Sequence, residues 1–304
     1  MNSLYYILLN LSVTYLGLTL ALFSLSGASI LLPYTSFIAR LLASYLCLIL
    51  CAAYGAVVSI FLRLVGKHRL AQHLTARAFQ LCMRLSTGVE FDVVSGREYL
   101  STRPSVIIGN HQSELDVLLL GAIFPPYCSV TAKSSLKLVP VLGWYMALSG
   151  TVFIDRSNRT DALKAFDGAA EEIRREKQNV FIFPEGTRSY AKAPTLGAFK
   201  KGAFHLAVKA QVDVVPVVAG CYWGVLGPGE RRFRAGRIPV KVLPPISTRG
   251  LTPADVDELT RTTREKMLAE LIALTDTPMG QKAAKAEVVL PGEEDLALLA
   301  TKTQ

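Results

Sequence analysis

The stretch IIGNHQSELDVLLL, residues 107–120, carries a histidine and an aspartate five positions apart, His111 and Asp116. An imidazole changes charge near neutral pH, so a histidine steadied by a carboxylate can act as a general base. The spacing needs an explanation, because helical side chains three or four apart face each other and five apart do not. A helix that starts between them supplies one. Val106 to Ile108 read as a short buried strand, and Gly109-Asn110 punctuate it. Ser113 then reads as an N-cap, with Asp116 in the first turn. Helical side chains tilt toward the N-terminus, so this carboxylate leans back toward His111. A competing reading makes Ser113-x-x-Asp116 a plain capping box, with Asp116 structural and His111 a polar loop residue. The stretch alone leaves both open.

A second set of reactive types lies in NVFIFPEGTRS, residues 179–189. A buried strand runs into Pro184, and Glu185, Gly186, Thr187, Arg188 and Ser189 follow. Gly186 allows a tight turn and close approach to a ligand. The Arg188 guanidinium is a planar fork suited to phosphate, and Thr187 adds a hydroxyl donor. The alternative is an ordinary loop closed by a Glu185–Arg188 ion pair. Downstream, Lys200 and Lys201 open a helix, where cations oppose the macrodipole; such placement suits electrostatic use or a solvated pair. Lys133 ends another strand, and a basic loop, GERRFRAGR (229–237), could hold phosphates or stay solvated.

These groups need elements to hold them. Strand-like runs at FDVV, SVIIG, CSVTA, GTVFID, NVFIF, DVVPVV and PVKVL alternate with helical stretches at 114–123, 136–148, 159–177 and 198–210. Alternation of this kind predicts an α/β layer fold. Thr252 and Pro253 signal the start of a further helix over 252–275. The expected organisation is a membrane hairpin over 1–62, a basic amphipathic interfacial helix over 63–90, an α/β domain over 91–277 and a flexible tail over 278–304.

The N-terminal expectation rests on charge. The chain has 304 residues, 51% of them hydrophobic, and a net charge of +9. Its mean hydropathy is +0.34. Before residue 63 the only charged side chain is Arg40. Residues 4–32 and 37–62 are each long enough to span a bilayer, for which roughly 20 apolar residues suffice. Pro33 lies between them. Five cations and no acid follow in 63–85 (Arg63, Lys67, Arg69, Arg77, Arg84), which marks that side as cytoplasmic and facing the membrane surface. The five cysteines are scattered without a C-x-x-C or metal-ligand spacing, as expected of free thiols. No nucleic-acid partner and no metal is indicated.

Together, NHQSELD (110–116), GTVFIDR (150–156), FPEGTRS (183–189) and VVPV (214–217) resemble the four blocks of the 1-acyl-glycerol-3-phosphate acyltransferases, in order and approximate spacing. AKSSLKLVPVLGW and LPPIST are similar to fungal members. The resemblance covers about residues 110–250, and His111, Asp116, Gly186 and Arg188 all stand at the blocks' key positions. It implies a glycerolipid-acyltransferase-like sheet flanked by helices, and acyl transfer from acyl-CoA to the 2-hydroxyl of lysophosphatidic acid. It implies His111 as base and Asp116 as its orienting partner. Arg188 would grip the phosphate with Lys133, Gly186 and Thr187, and Asn110, Glu185 and Arg156 would support the site. Acyl-CoA is a co-substrate and no cofactor is implied; the expected location is the endoplasmic reticulum membrane. The substrate supplies the hydroxyl, in keeping with the absence of a G-x-S-x-G elbow. Glycerol 3-phosphate or another lysophospholipid remains an alternative acceptor. A non-catalytic phosphatidic-acid-binding membrane protein is the alternative from another class.

Overall fold

The computed structural model describes residues 10, 13–21, 24, 32–154 and 159–285. Helices α1 (Leu32–Leu64) and α2 (Ala71–Thr87) lead into strands β1 (Val89–Ser95) and β2 (Ser105–Gly109). Helical crossovers follow: α3 (Asp116–Ile123) to β3 (Cys128–Lys133), α4 (Leu142–Leu148) to β4 (Val152–Ile154), α5 (Arg159–Glu176) to β5 (Asn179–Ile182), and α6 (Gly202–Ala210) to β6 (Asp213–Ala219). A short hairpin, β7 (Leu226–Gly227) and β8 (Arg232–Phe233), precedes β9 (Gly236–Val242), and α7 (Val256–Asp276) and α8 (Pro278–Ala284) follow.

The main sheet has the order β1-β9-β6-β2-β5-β3-β4. Strands β6, β2, β5, β3 and β4 are parallel. Strand β9 returns antiparallel beside β6, with β1 parallel to β9 at the edge. β2 is central and buried throughout, which is why SVIIG reads as a continuous apolar run. Its alternate side chains enter two different cores. Ile107 joins residues of α1, α2 and α3 on one face, and Val106 and Ile108 join α5, α6 and α7 on the other. The parallel strands all end at one edge, and a ligand site in such a sheet lies outside those carboxyl ends.

Helix α1 is fastened to the rest by a row of small residues. Ala39, Ala43, Cys47, Cys51 and Ser59 recur every four or eight positions and are buried. Gly55 continues the row: a Cβ there would lie 2.6 Å from both the Thr75 hydroxyl and the Tyr145 ring. Small residues at this spacing let helix backbones approach closely. Polar contacts pin both ends, with Arg40 donating to the Thr87 carbonyl at 3.0 Å and Arg63 to that of Leu148 at 3.3 Å. The opposite face exposes Tyr45, Ile49, Val57, Phe61 and Leu64. By length and composition, the 30 residues Thr35–Leu64 could cross a membrane. Of the first apolar segment, residues 13–21 are helical, and the Tyr15 hydroxyl donates to the Leu42 carbonyl; most of the rest lies outside the described residues.

Several expectations are corrected. The stretch 63–90 is not one helix: the chain breaks at Gly66, whose φ is 71°, passes through a 3-10 turn at His68–Leu70 and re-enters α2. Cations of the acid-free run 63–85 find acids beyond it. Arg69 pairs with Glu172 at 3.1 Å and Glu176 at 3.5 Å, and Arg84 with Glu90 at 3.5 Å. The helix expected over 136–148 is split, because Val141 adopts a φ of 63° and leaves a 3-10 turn, Ser134–Leu138, ahead of α4. The stretch 278–304 is not wholly a tail. Thr277 accepts a bond from the Gly280 N–H at 3.0 Å and caps α8, whose Ala283 is buried. Residues 286–304 lie outside the described residues.

Candidate active site

Strand β2 ends at Gly109, and the next residues are fixed before α3 begins. The Asn110 amide donates to the Ala219 carbonyl at 2.9 Å and its oxygen accepts from the Ala219 N–H at 2.9 Å, tying the ends of β2 and β6 together. His111 follows, with Nδ1 at 2.7 Å from Asp116 Oδ2. A carboxylate accepts, so Nδ1 carries the proton and Nε2 is left for a substrate. The same Oδ2 accepts from the backbone N–H groups of Gln112 at 2.6 Å and Ser113 at 3.1 Å. The two sequence readings of Asp116 are therefore not rivals: one carboxylate both closes the turn at the helix start and holds His111. One detail differs, for α3 starts at Asp116 rather than Glu114, and the Ser113 hydroxyl accepts from the Leu115 N–H at 3.1 Å.

Asp116 has a fourth donor that the sequence did not suggest. The buried Tyr222 hydroxyl donates to Oδ1 at 2.6 Å and lies 3.1 Å from the Ser113 hydroxyl. Burial, then the nearby Asp116 charge, pushes the Tyr222 phenol well above its usual range, so it remains a donor. It lies 106 positions from Asp116, just past β6, and no local pattern marks it. Phe183 completes the mount, stacking on the imidazole at 4.2 Å and 17°. His111 keeps 19% of its side chain exposed, against 1% for Asp116. The imidazole is thus held on one side and open on the other.

The loop after β5 lies alongside. The Ser189 N–H donates to the His111 carbonyl at 3.0 Å and the Tyr190 N–H to that of Gln112 at 3.0 Å. Glu185 is buried, and its carboxylate bridges the N–H groups of His111 at 2.8 Å and Gly197 at 2.8 Å. Burial raises its pKa despite those donors. The Glu185–Arg188 ion pair considered from the sequence is not formed. Arg188 instead reaches Glu114 at 2.7 Å and the Tyr190 hydroxyl at 3.2 Å, all three exposed. Gly186 turns the chain at φ 69°, and a Cβ there would sit 3.1 Å from the Lys200 ammonium. Lys200 thus lies over the loop, while Lys201 pairs with Asp257 at 2.7 Å.

The remaining expected residues divide. Thr187 is exposed on the loop. Lys133 is exposed at the end of β3; the register that pairs Val130 with Phe181 and Ile107 with Phe181 places it level with Pro184 and Asn110, two strands from β2. Among the described residues, no hydrogen bond joins Lys133 or Thr187 to His111 or Arg188. Arg156 lies outside the described residues. In the basic loop, Arg232 is spent on the Trp223 and Gly224 carbonyls, at 2.8 and 3.1 Å, and on stacking over the Trp223 ring. Arg237 pairs with Asp92 at 2.6 Å.

A partly exposed imidazole mounted on a buried carboxylate, beside a guanidinium and an ammonium, can take a proton from an alcohol next to a bound anion. Comparisons with known proteins identify the family. Residues 93–220 match the family model described as Acyltransferase. The chain is 45% identical to the 1-acyl-sn-glycerol-3-phosphate acyltransferase of Saccharomyces cerevisiae, over 75% of each chain. It is 38% identical to the human 1-acyl-sn-glycerol-3-phosphate acyltransferase alpha, over 63% of this chain and 67% of that one. The fold matches the crystal structure of the 1-acyl-sn-glycerophosphate acyltransferase PlsC from Thermotoga maritima with a TM-score of 0.61, over 88% of this chain and 98% of that one, at 22% identity. The chain belongs to the 1-acyl-sn-glycerol-3-phosphate acyltransferase family.

Proposed function

We propose that the protein transfers an acyl group from acyl-CoA to the sn-2 hydroxyl of 1-acyl-glycerol 3-phosphate, giving phosphatidic acid. The observation that carries this reading is the His111 Nδ1–Asp116 Oδ2 bond of 2.7 Å, with the other imidazole nitrogen left for substrate. An alcohol is a weak nucleophile until its proton is removed. His111 Nε2 takes that proton as the oxygen attacks the thioester carbonyl carbon, and Asp116 stabilises the imidazolium. The tetrahedral intermediate collapses with loss of the CoA thiolate, and the imidazolium gives its proton to the departing sulfur. No acyl-enzyme forms, because the acceptor supplies the hydroxyl. Arg188 grips the acceptor phosphate in exchange for Glu114, and Lys200 and Lys133 add positive charge to the same edge of the sheet.

Helix α1 supports a membrane seat. Its small-residue face is packed on α2 and α4 from Ala39 to Ser59, and its apolar face is bare. A helix fastened along its length to a polar domain is best seated with the bare side in one leaflet of the endoplasmic reticulum membrane, as one arm of a hairpin with the segment before it, the catalytic domain being cytoplasmic. Protease added to sealed microsomes then digests the catalytic region; protection until detergent is added reverses the orientation.

The activity is tested with the full chain in detergent, labelled acyl-CoA, and lysophosphatidic acid, glycerol 3-phosphate and other lysophospholipids as acceptors. Phosphatidic acid formed from lysophosphatidic acid is the expected product. Preference for glycerol 3-phosphate changes the acceptor, and binding of phosphatidic acid without transfer to any acceptor replaces the enzyme with a binding protein.

A further inference from the structure

A polar cavity lies at the opposite edge of the sheet from His111. It has a volume of about 500 Å³ and is formed where the chain enters β2, β3 and β5. Arg77 and His73 reach it from α2, Arg97 and Arg103 from the segment before β2, and Tyr127 and Asn179 from the starts of the neighbouring strands. Three guanidiniums and an imidazole line it, and no lining residue is acidic. A concave surface carrying one sign of charge concentrates the opposite ion.

Three of these side chains are fixed by neutral partners. Arg77 spends one nitrogen on the Gly121 carbonyl at 3.1 Å, which fixes its position while leaving donors over. Arg103 lies over the Tyr127 ring at 4.7 Å, an arrangement that orders a guanidinium without neutralising it. His73 Nδ1 lies 2.7 Å from the Phe124 carbonyl; a carbonyl only accepts, so Nδ1 is the donor and Nε2 is available. Arg97 is exposed and forms no ion pair among the described residues. By contrast, Arg69, Arg84, Arg188 and Arg237 all meet carboxylates.

We infer that this cavity is a binding site for a phosphate group, separate from the catalytic site. Several guanidinium forks suit a tetrahedral dianion better than a carboxylate or halide. Strand β2 alone puts about 16 Å between its two ends, at roughly 3.3 Å per residue, so a phosphate bound here does not reach His111. Next to the cavity, α2 exposes Leu74, Leu81 and Leu85, with Arg77 three and four residues from the first two. Leucines beside an arginine on an exposed helix face suit a lipid head group as the source of the phosphate; a soluble phosphate offers the same chemistry.

The test compares the full chain with an Arg97→Gln/Arg103→Gln variant in neutral detergent. Each is titrated calorimetrically with dihexanoyl phosphatidic acid, a water-soluble lipid, and separately with inorganic pyrophosphate. The parent is expected to bind two molecules of the lipid and the variant one, with acyl transfer and both KM values unchanged. Loss of pyrophosphate binding in the variant, with equal lipid stoichiometry, keeps the site and makes its ligand a soluble phosphate. Identical titrations of parent and variant for both probes overturn the site. A raised KM for acyl-CoA overturns its separateness, because the cavity then serves the substrate. Arg97→Gln alone, which removes no contact among the described residues, gives the same reading if the double variant fails to fold, with binding weakened by about tenfold.

Discussion

The loops after β2 and β5 lie against each other and are held in opposite ways. In the first, every oxygen of Asp116 is occupied by a buried or backbone donor, and the imidazole is clamped between that carboxylate and Phe183. In the second, the buried Glu185 anchors the base of the loop, but Arg188 at its tip is tied only to exposed groups, Glu114 and Tyr190. The difference matches the roles proposed for the two loops. A base must meet a reacting hydroxyl within tenths of an ångström, so its mount is made beforehand. A phosphate clamp has to release one anion to take another. An exposed ion pair is worth only about 0–1 kcal/mol, so Glu114 holds Arg188 only weakly.

That contrast can be broken at graded points. The largest effect is expected in the rigid loop. Asp116→Asn leaves a similar shape but cannot support the imidazolium, and kcat should fall by about 10²–10⁴ in steady-state assays. In the adjustable loop, Arg188→Ala should raise KM for lysophosphatidic acid by roughly 10–150-fold, the loss of a charge-assisted contact of about 1.5–3 kcal/mol. KM for acyl-CoA should change far less, and Arg188→Lys should recover only part. Equal damage to both KM values would make Arg188 a loop-ordering residue. Tyr222→Phe removes one of the four donors to Asp116, and kcat should drop about tenfold with little change in KM. An unchanged kcat would show that the remaining three donors suffice. Smallest of all, Glu114→Gln frees Arg188 and should lower KM for the lysolipid by less than about fivefold.

Glu185 gives a comparison by stability instead of rate. Its pKa is raised by burial, so the folded state holds that proton more tightly than the unfolded chain. Its contribution is complete below the ordinary glutamate range, near about 4.3, and declines as pH rises through the raised value. Most paired carboxylates show the reverse. Glu185→Gln should remove that decline. It should also cost about 1–3 kcal/mol, because an amide can accept from only one of the two N–H groups of His111 and Gly197 that the carboxylate bridges. Thermal unfolding of parent and variant across acid pH measures both effects.

What the sequence revealed depended on how local the cause was. The strands stand out because a central parallel strand must be apolar on both faces, and Val106–Ile108 and Val214–Val217 are. The His111–Asp116 contact was legible because a helix start lies between the two, and the start of the last long helical stretch because Thr252 and Pro253 mark it locally. Tyr222 was not, since it reaches Asp116 only after the chain has folded through α3 to β6. The alternative that paired Arg188 with Glu185 fails for the same reason: that nearest acid in sequence turns inward to two backbone N–H groups. The break at Val141 has a left-handed backbone that a β-branched residue rarely adopts, so periodicity ran straight through it. In α1 the row of small residues at every fourth position was not read from the sequence, because what it packs against comes from α2 and α4.

The central claim is that His111, mounted on Asp116, removes the acceptor proton. The most direct measurement is the turnover of purified His111→Ala with acyl-CoA and lysophosphatidic acid, in protein whose melting temperature and detergent behaviour match the parent. The account predicts transfer lower by at least about 10²–10⁴, with lysophosphatidic acid still bound through Arg188. Turnover within a few fold of the parent would contradict it.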